Sequence, residues 1–379
     1  MSTARPTPPR SWAEIDLGAL RHNAIMAREQ SGCEIMAIVK ANAYGHGAVP
    51  VARALSGVAT LFGVANLHEA EELRAGGIGE PILLLSACLP EEEESAVRAG
   101  FHVCVNSVEE AVSLDAVAAR LGVKASAHVV VDTGMGRMGF PEGAWNGETI
   151  AQLRALPHVI WEGIASHLPS ADEDEAFTRA QLARFLSGVE LARVMEFRPQ
   201  SVHVSNSAGL LGYTAETEGF CNLVRPGLML YGVSPMNGQQ GLLQPVMTWK
   251  TRVTLVRDLP AGHGISYGGT FVTTRASRVA TLACGYADGY PRQASGKGAE
   301  VLLHGQRCPL LGRVTMDQMM VDVTDLEKPA VVGDEVVLVG GQGNAFIGAL
   351  EVAQKAGTIA WHVFTSIAPR VERVWLSQR

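Results

Sequence analysis

The chain has 379 residues, enough for two or three domains or for one large barrel with an added module. Hydrophobic residues make up 47% of it and can build a substantial core, while a net charge of -7 offers no basic surface to nucleic acid. No apolar run approaches the roughly 20 residues of a membrane span, and the proline-rich residues 1–10 lack the apolar stretch of a secretory signal and read as a loose tail.

Residues 12–17 read as a short strand, and Asp16 can cap a helix over about 17–29. Apolar, strand-like runs follow at 34–40, 61–65, 81–86, 101–105, 125–132, 158–166, 201–205 and 221–225. Amphipathic helical patterns lie between them, at 66–75, 90–99, 107–121 and 172–195. Several of the eight strands are apolar almost throughout, as expected of a parallel sheet covered on its faces. The pattern predicts an α/β chain with a (β/α)8 TIM-like barrel, and a doubly wound sheet is the structural alternative. From residue 242 the texture changes to strands at 246–258, 278–284, 299–304, 319–324 and 335–340, with one helix at 346–356. We therefore expect a barrel domain over residues 1–241 and a mostly β domain over 242–379. The six cysteines (Cys33, Cys88, Cys104, Cys221, Cys284 and Cys308) show no C-x-x-C spacing, which suits buried thiols in the cytoplasm. His102 and Cys104 would share one strand face without further ligands nearby in sequence, so no metal site is expected.

A barrel carries its chemistry at the C-terminal ends of its strands. The residues at those exits are Lys40 with Tyr44, Asn66, Ser86, Asn106, Asp132 with Arg137, His167, Ser205-Asn206-Ser207 and Arg225. Helix capping accounts for the serines and asparagines. It does not account for Lys40, Arg137, His167 and Arg225 together. A lysine at the exit of a buried strand can hold an amine ready for a carbonyl cofactor, provided burial and nearby cations keep that amine neutral.

The stretch Ala37-Ile38-Val39-Lys40-Ala41-Asn42-Ala43-Tyr44-Gly45-His46-Gly47 resembles the cofactor-attachment motif of the alanine racemase family of pyridoxal phosphate enzymes. Further motifs in the family's order extend the resemblance from Trp12 to about Arg373. It implies a barrel followed by a β domain, with residues 11–17 pairing with the latter. It also implies bound pyridoxal 5'-phosphate, a small amino-acid substrate and a homodimer with shared active sites. Lys40 would attach the cofactor and act as one base. Tyr44, Ser207 with Asn206, and the backbone of Gly227 and Leu228 would hold the phosphate. Arg225 would face the pyridine nitrogen, and His167 would lie near the ring, hydrogen-bonding Arg225 or Tyr267. Arg137, in Asp132-Thr133-Gly134-Met135-Gly136-Arg137, would reach the substrate carboxylate. Tyr267 would enter from the second subunit as the base for the other face of Cα. Tyr286, Met316 and Asp317 would line the entrance and the substrate site.

Two departures stand out. Val130 occupies the place of a lysine that steadies the loop arginine in many members. Trp361, in Ile359-Ala360-Trp361-His362, replaces a phosphate-contacting tyrosine. Indole donates one hydrogen bond and accepts none. The expected activity is the interconversion of L- and D-alanine, supplying D-alanine for peptidoglycan. A racemase for serine or a broader set of amino acids is the nearest alternative. A decarboxylase of the same fold type would want a carboxylate at the pyridine nitrogen, which Arg225 opposes. A cofactor-carrying homeostasis protein would lack the second domain.

Overall fold

The computed structural model describes residues 8–377, so the first seven residues of the expected N-terminal tail lie outside it. The chain forms two compact units. The barrel unit takes residues 20–43 and 48–244. The β unit takes the described residues up to 19, the short segment Tyr44–Gly47, and everything from 245 onward. The first strand, β1 (Ser11–Asp16), lies in the β unit, and Asp16 Oδ1 accepts from Ala19 N at 2.9 Å to start the helix Leu17–Ser31.

In the barrel unit eight strands run parallel: β2 (Glu34–Ile38), β3 (Leu61–Val64), β4 (Ile82–Leu84), β5 (His102–Val105), β6 (Ala125–Val130), β7 (Val159–Ala165), β8 (Ser201–His203) and β9 (Leu223–Val224). Their order is β8-β7-β6-β5-β4-β3-β2-β9, a nearly closed barrel. No ladder joins β8 to β9. Hydrogen bonds from Asn222 N to Val202 O (3.1 Å) and from Arg225 N to Ser205 O (2.9 Å) bridge that seam instead. The last strand is two residues long rather than the expected five: Asn222 N turns to Val202 O before it, and Pro226 has no N–H to carry the ladder on. Val39, Val64 and Leu84 are buried at strand exits, so the polar residues that follow them begin where the core ends. Helix starts carry the side-chain caps their sequences advertise, with Asn66 Oδ1 accepting from Glu69 N and Ser107 Oγ from Glu110 N. A further helix, Gly147–Arg154, lies after β6.

The β unit is built on β10 (Met247–Leu259), followed by β11 (Gly264–Ile265), β12 (Phe271–Val272), β13 (Ser277–Leu282), β14 (Glu300–Leu303), β15 (Gln306–Leu311), β16 (Met319–Asp322), β17 (Glu335–Gln342), β18 (Ala345–Ile347) and β19 (Glu372–Leu376). Nine strands form one sheet in the order β18-β17-β14-β15-β16-β13-β10-β1-β19, and a second pairing of β17 with β10 curls it back on itself. β10 is the hub: β1, β13 and β17 all pair with it antiparallel. Trp249 on β10 is fully buried and donates Nε1–H to Ser11 Oγ at 3.0 Å, tying β1 in place. The helix expected from residue 346 starts at Ala349, because Ala345–Ile347 pairs with β17 first. Among the described residues no helix is long and apolar enough to cross a membrane.

Candidate active site

Lys40 follows β2 directly. Behind it the strand end is pinned by Tyr231, whose hydroxyl donates to Ile38 O at 2.9 Å. Ahead of it the backbone turns left-handed, with φ of 51° at Ala41, 53° at Asn42, 51° at Ala43 and 51° at Tyr44. For L-residues such a turn costs roughly 1–2 kcal/mol per residue, so something must impose it. In the barrel unit Glu69 grips both sides of the exit. Its Oε1 accepts from Ala41 N and its Oε2 from Ala65 N, each at 2.7 Å. Asn42 Oδ1 accepts from Ala48 N at 2.8 Å. Burial, and then the Arg137 charge, push the Lys40 amine below the ordinary lysine range, while Glu69 pulls the other way.

Within the β unit, the segment Tyr44–Gly47 is fixed by the C-terminal residues. Arg373 Nε donates to Gly45 O at 3.0 Å, and Trp375 Nε1 donates to His46 O at 2.8 Å. The two glycines are steric requirements. A Cβ on Gly45 would lie 2.4 Å from Phe364 O, and one on Gly47 would lie 2.7 Å from the Trp375 ring. Tyr44 is buried, which pushes its phenol up and keeps it protonated.

Arg225 is 6% exposed and has no carboxylate partner among the described residues. Its Nη1 donates to His203 Nδ1 at 2.6 Å and to His203 O at 2.9 Å. Its Nη2 donates to Ser166 O at 2.5 Å, to Val204 O at 3.0 Å and to His167 Nδ1 at 3.1 Å. Five acceptors therefore hold the two terminal nitrogens, and Nε has no partner among the described residues. Burial draws the guanidinium down to about 10, so it stays charged at neutral pH. Burial, and then the Arg225 charge, depress His167 to about 3, and it remains neutral.

The next strand exit offers hydroxyls. Ser205 Oγ is buried with no partner among the described residues. Ser207 Oγ accepts from Gly227 N at 3.0 Å and Met229 N at 3.3 Å, which leaves its own hydrogen to give. Asn206, not Ser207, caps the helix Ser207–Gly212. Its Oδ1 accepts from Gly209 N and its Nδ2 donates to Leu168 O, so both ends of its amide are engaged. Leu228 opens the short turn Leu228–Tyr231.

Asp132 organises the loop after β6. Its two oxygens accept from Gly134 N, Met135 N and Gly136 N, each at 2.9 Å. Arg137 stands exposed at the tip, with no hydrogen-bond or ion-pair partner among the described residues. Val130 Cγ1 packs where Gly139 would carry a Cβ, 2.9 Å away, and makes no polar contact with the loop.

The β unit carries the other residues singled out from sequence. Tyr267 is 71% exposed between β11 and β12, whose Ile265 and Phe271 pack in a cluster with Leu259, Val279 and Leu311. Tyr286 begins a turn whose Gly285 presses on the carbonyls of Thr315 and Met316. Met316 is exposed. Asp317 pairs with Arg370 at 2.8 Å, and the same arginine holds Asp288 at 2.7 Å. Trp361 is partly buried in the helix Ala360–Thr365. Sequence reasoning singled out Ser205 only as a strand-exit residue and passed over Glu69 and His203. Only the position of His203 at the end of β8 could have drawn attention to it.

A lysine made less basic by burial, a buried arginine with no carboxylate partner among the described residues, and serine hydroxyls at the exits of a parallel barrel make up a (β/α)8 site that could hold a phosphorylated carbonyl cofactor. The N-terminal domain of alanine racemase matches residues 15–235 and its C-terminal domain residues 246–375. An alanine racemase of Symbiobacterium thermophilum is 44% identical over 98% of this chain and 97% of its own. The crystal structure of alanine racemase from D-cycloserine-producing Streptomyces lavendulae is similar with a TM-score of 0.90 and 38% identity, covering 98% of each chain. That of alanine racemase from Bartonella henselae with covalently bound pyridoxal phosphate has a TM-score of 0.87 and 30% identity, over 97% of this chain and 100% of that one. The chain belongs to the alanine racemase family, whose members are isomerases.

Proposed function

We propose that the protein is a pyridoxal 5'-phosphate-dependent alanine racemase working by two bases, Lys40 and Tyr267. The observation that carries this reading is Arg225. It is a permanently charged, fully buried donor, gripped by five acceptors and with its Nε unspent. The residues present fit the cofactor. Ser205 Oγ is an orphaned buried hydroxyl and Ser207 has a hydrogen to donate, both suited to phosphate oxygens. The backbone of Gly227 and Leu228 would add N–H groups, although Gly227 N is turned to Ser207 Oγ in this structure. Asn206 would serve by capping the helix that presents Ser207.

Bound pyridoxal phosphate would supply a conjugated ring that spreads the charge developing at the substrate Cα. Arg225 would donate a hydrogen bond to the ring nitrogen through Nε without giving up its proton. That makes the ring a weak electron sink and favours rapid return of a proton to carbon. His167 keeps Arg225 Nη2 in place from Nδ1. Lys40, made less basic by burial, would anchor the cofactor and exchange a proton on one face of Cα. Arg137, free at its loop tip, would take the substrate carboxylate.

The β unit supports the reading through its sequence motifs and the exposure of Tyr267. Tyr267 of the partner subunit would serve the opposite face of Cα in a homodimer. Met316 N–H would bind the substrate carboxylate, with Tyr286 and Asp317 at the entrance. Tyr44 would hydrogen-bond phosphate, and Trp361 would narrow the substrate channel. The D-alanine formed would supply peptidoglycan synthesis in the cytoplasm.

The test is chiral chromatography after incubating the pyridoxal phosphate-loaded protein with L-alanine, L-serine, L-lysine and L-arginine in turn. D-alanine should form fastest. Faster D-serine would assign the broader alternative, and no D-amino acid at all would overturn the reading.

A further inference from the structure

Three histidines stand in a row through the interior of the barrel, where such folds ordinarily place apolar layers. His203 ends β8, His128 lies within β6, and His102 begins β5. His203 Nε2 is 2.9 Å from His128 Nδ1, and His128 Nε2 is 3.2 Å from His102 Nδ1. His203 and His128 are 1% exposed. The row begins at Arg225, whose Nη1 is 2.6 Å from His203 Nδ1.

A guanidinium can only donate, and that sets the direction of every bond behind it. His203 Nδ1 must present a lone pair, so its hydrogen sits on Nε2. That hydrogen needs an acceptor, and His128 Nδ1 is the atom it meets. The hydrogen of His128 is then on Nε2 and points to His102 Nδ1. Arg225 sets the direction of the row, and the acceptor at His128 Nδ1 keeps the His203 hydrogen on Nε2, since Arg225 Nη1 also has His203 O to donate to and does not by itself hold the ring to one tautomer. A charged imidazolium anywhere in the row would set one N–H against another.

The barrel makes room for this row at a particular place. Gly163 on β7 is the register partner of His128, and a Cβ there would lie 2.1 Å from His128 Nδ1. The β6·β7 register shifts between Ala127 and His128, just where the imidazole enters. A glycine and a bulge are costs a barrel strand would not carry for a filler side chain.

We propose that His128, backed by His102, is a positioning residue: it locks His203 in the Nε2–H tautomer, so that His203 Nδ1 holds Arg225 by a charge-assisted hydrogen bond. The consequence for catalysis rests on the proposed racemase reading, in which Arg225 faces the cofactor ring. The lock itself does not depend on that reading.

The experiment is long-range 1H–15N spectroscopy of the full-length protein labelled with 15N-histidine, recorded at pH 7 with and without added pyridoxal phosphate. His203, His128 and His102 should all show Nε2–H and unprotonated Nδ1 in both samples. In His128→Leu, His203 should lose its single tautomer. His128→Asn should restore it, because the asparagine carbonyl sits close to the place of Nδ1 and accepts from His203. In parallel, His128→Leu should lower kcat for alanine about fivefold to tenfold with KM within about twofold, the worth of one net hydrogen bond, and His128→Asn should recover most of it. An Nδ1–H tautomer or an imidazolium at any of the three positions in the wild-type protein overturns the proposal, whether or not the variants fold. An unchanged His203 tautomer in His128→Leu overturns it equally. If the tautomers behave as stated but no racemisation is seen in the wild type, the functional reading fails and the lock stands.

Discussion

The interior around Arg225 and the loop that carries Tyr267 are opposite ways of presenting a functional group. Arg225 is buried, and both terminal nitrogens are committed to protein acceptors before any ligand arrives. Tyr267 is 71% exposed, follows a left-handed Ser266 and makes no side-chain hydrogen bond among the described residues. The first arrangement is organised by one chain alone. The second is an exposed side chain that the proposed homodimer would complete. Pre-organised electrostatics belong with the first, because donors that need not reorient cost nothing at the moment of reaction. Proton exchange on a second face can be left to the other, since a base needs only to be brought within reach.

Substitutions can break that contrast in a ranked way. Lys40→Ala removes anchor and base together and should lower alanine racemisation at least about 10³-fold, measured by chiral chromatography with added pyridoxal phosphate. Tyr267→Phe removes one base only and should cost about 10²-fold in racemisation. In D2O this variant should still exchange the α-hydrogen of one enantiomer without inversion, while exchange of the other falls, as read by proton NMR. Equal small losses for both enantiomers would remove Tyr267 from the mechanism.

The third prediction concerns acid. His128 is held to about 3 and His102 to about 4, each chiefly by burial, with Arg225 and a neighbouring histidine adding to the effect on His128. In the unfolded chain each would titrate near 6.5. Below that pH the unfolded state takes up protons that the folded state refuses, so stability falls as the pH drops from about 6.5 toward 4. Each such histidine contributes about 1.4 kcal/mol per pH unit to the slope. Urea unfolding of His128→Asn at pH 6 and pH 5 should therefore show a slope shallower by about that amount. Smallest of the set, Glu69→Gln exchanges one acceptor for an amide that cannot receive an N–H. It should cost about 1 kcal/mol in the free energy of urea unfolding and loosen the left-handed turn after Lys40.

Much of the barrel side was legible, because its signals are local. Alternating strands and helices gave the architecture, and polar residues after apolar runs gave Lys40, His167 and Arg225. What could not be read is what long-range contact decides. Residues 40–47 look like one motif, yet the chain divides there, with Tyr44–Gly47 belonging to the β unit. The reason lies in Phe364, Arg373 and Trp375, more than three hundred residues away, whose close approach makes Gly45 and Gly47 necessary. Glu69 looked like one more acid in a helix's first turn, and only the fold brings its carboxylate to Ala41 N. The histidines at 102, 128 and 203 come from three separate strands, and no spacing in the sequence relates them. Val130 announced a missing lysine, and Arg137 has no hydrogen-bond or ion-pair partner among the described residues.

The account depends first on Lys40 being the cofactor's point of attachment. Reducing the pyridoxal phosphate-loaded protein with borohydride, digesting it and sequencing the adduct by mass spectrometry reads that directly. The account predicts a phosphopyridoxyl group on the peptide containing Lys40 and on no other. An adduct confined to a different lysine, in a preparation that racemises alanine, would contradict it.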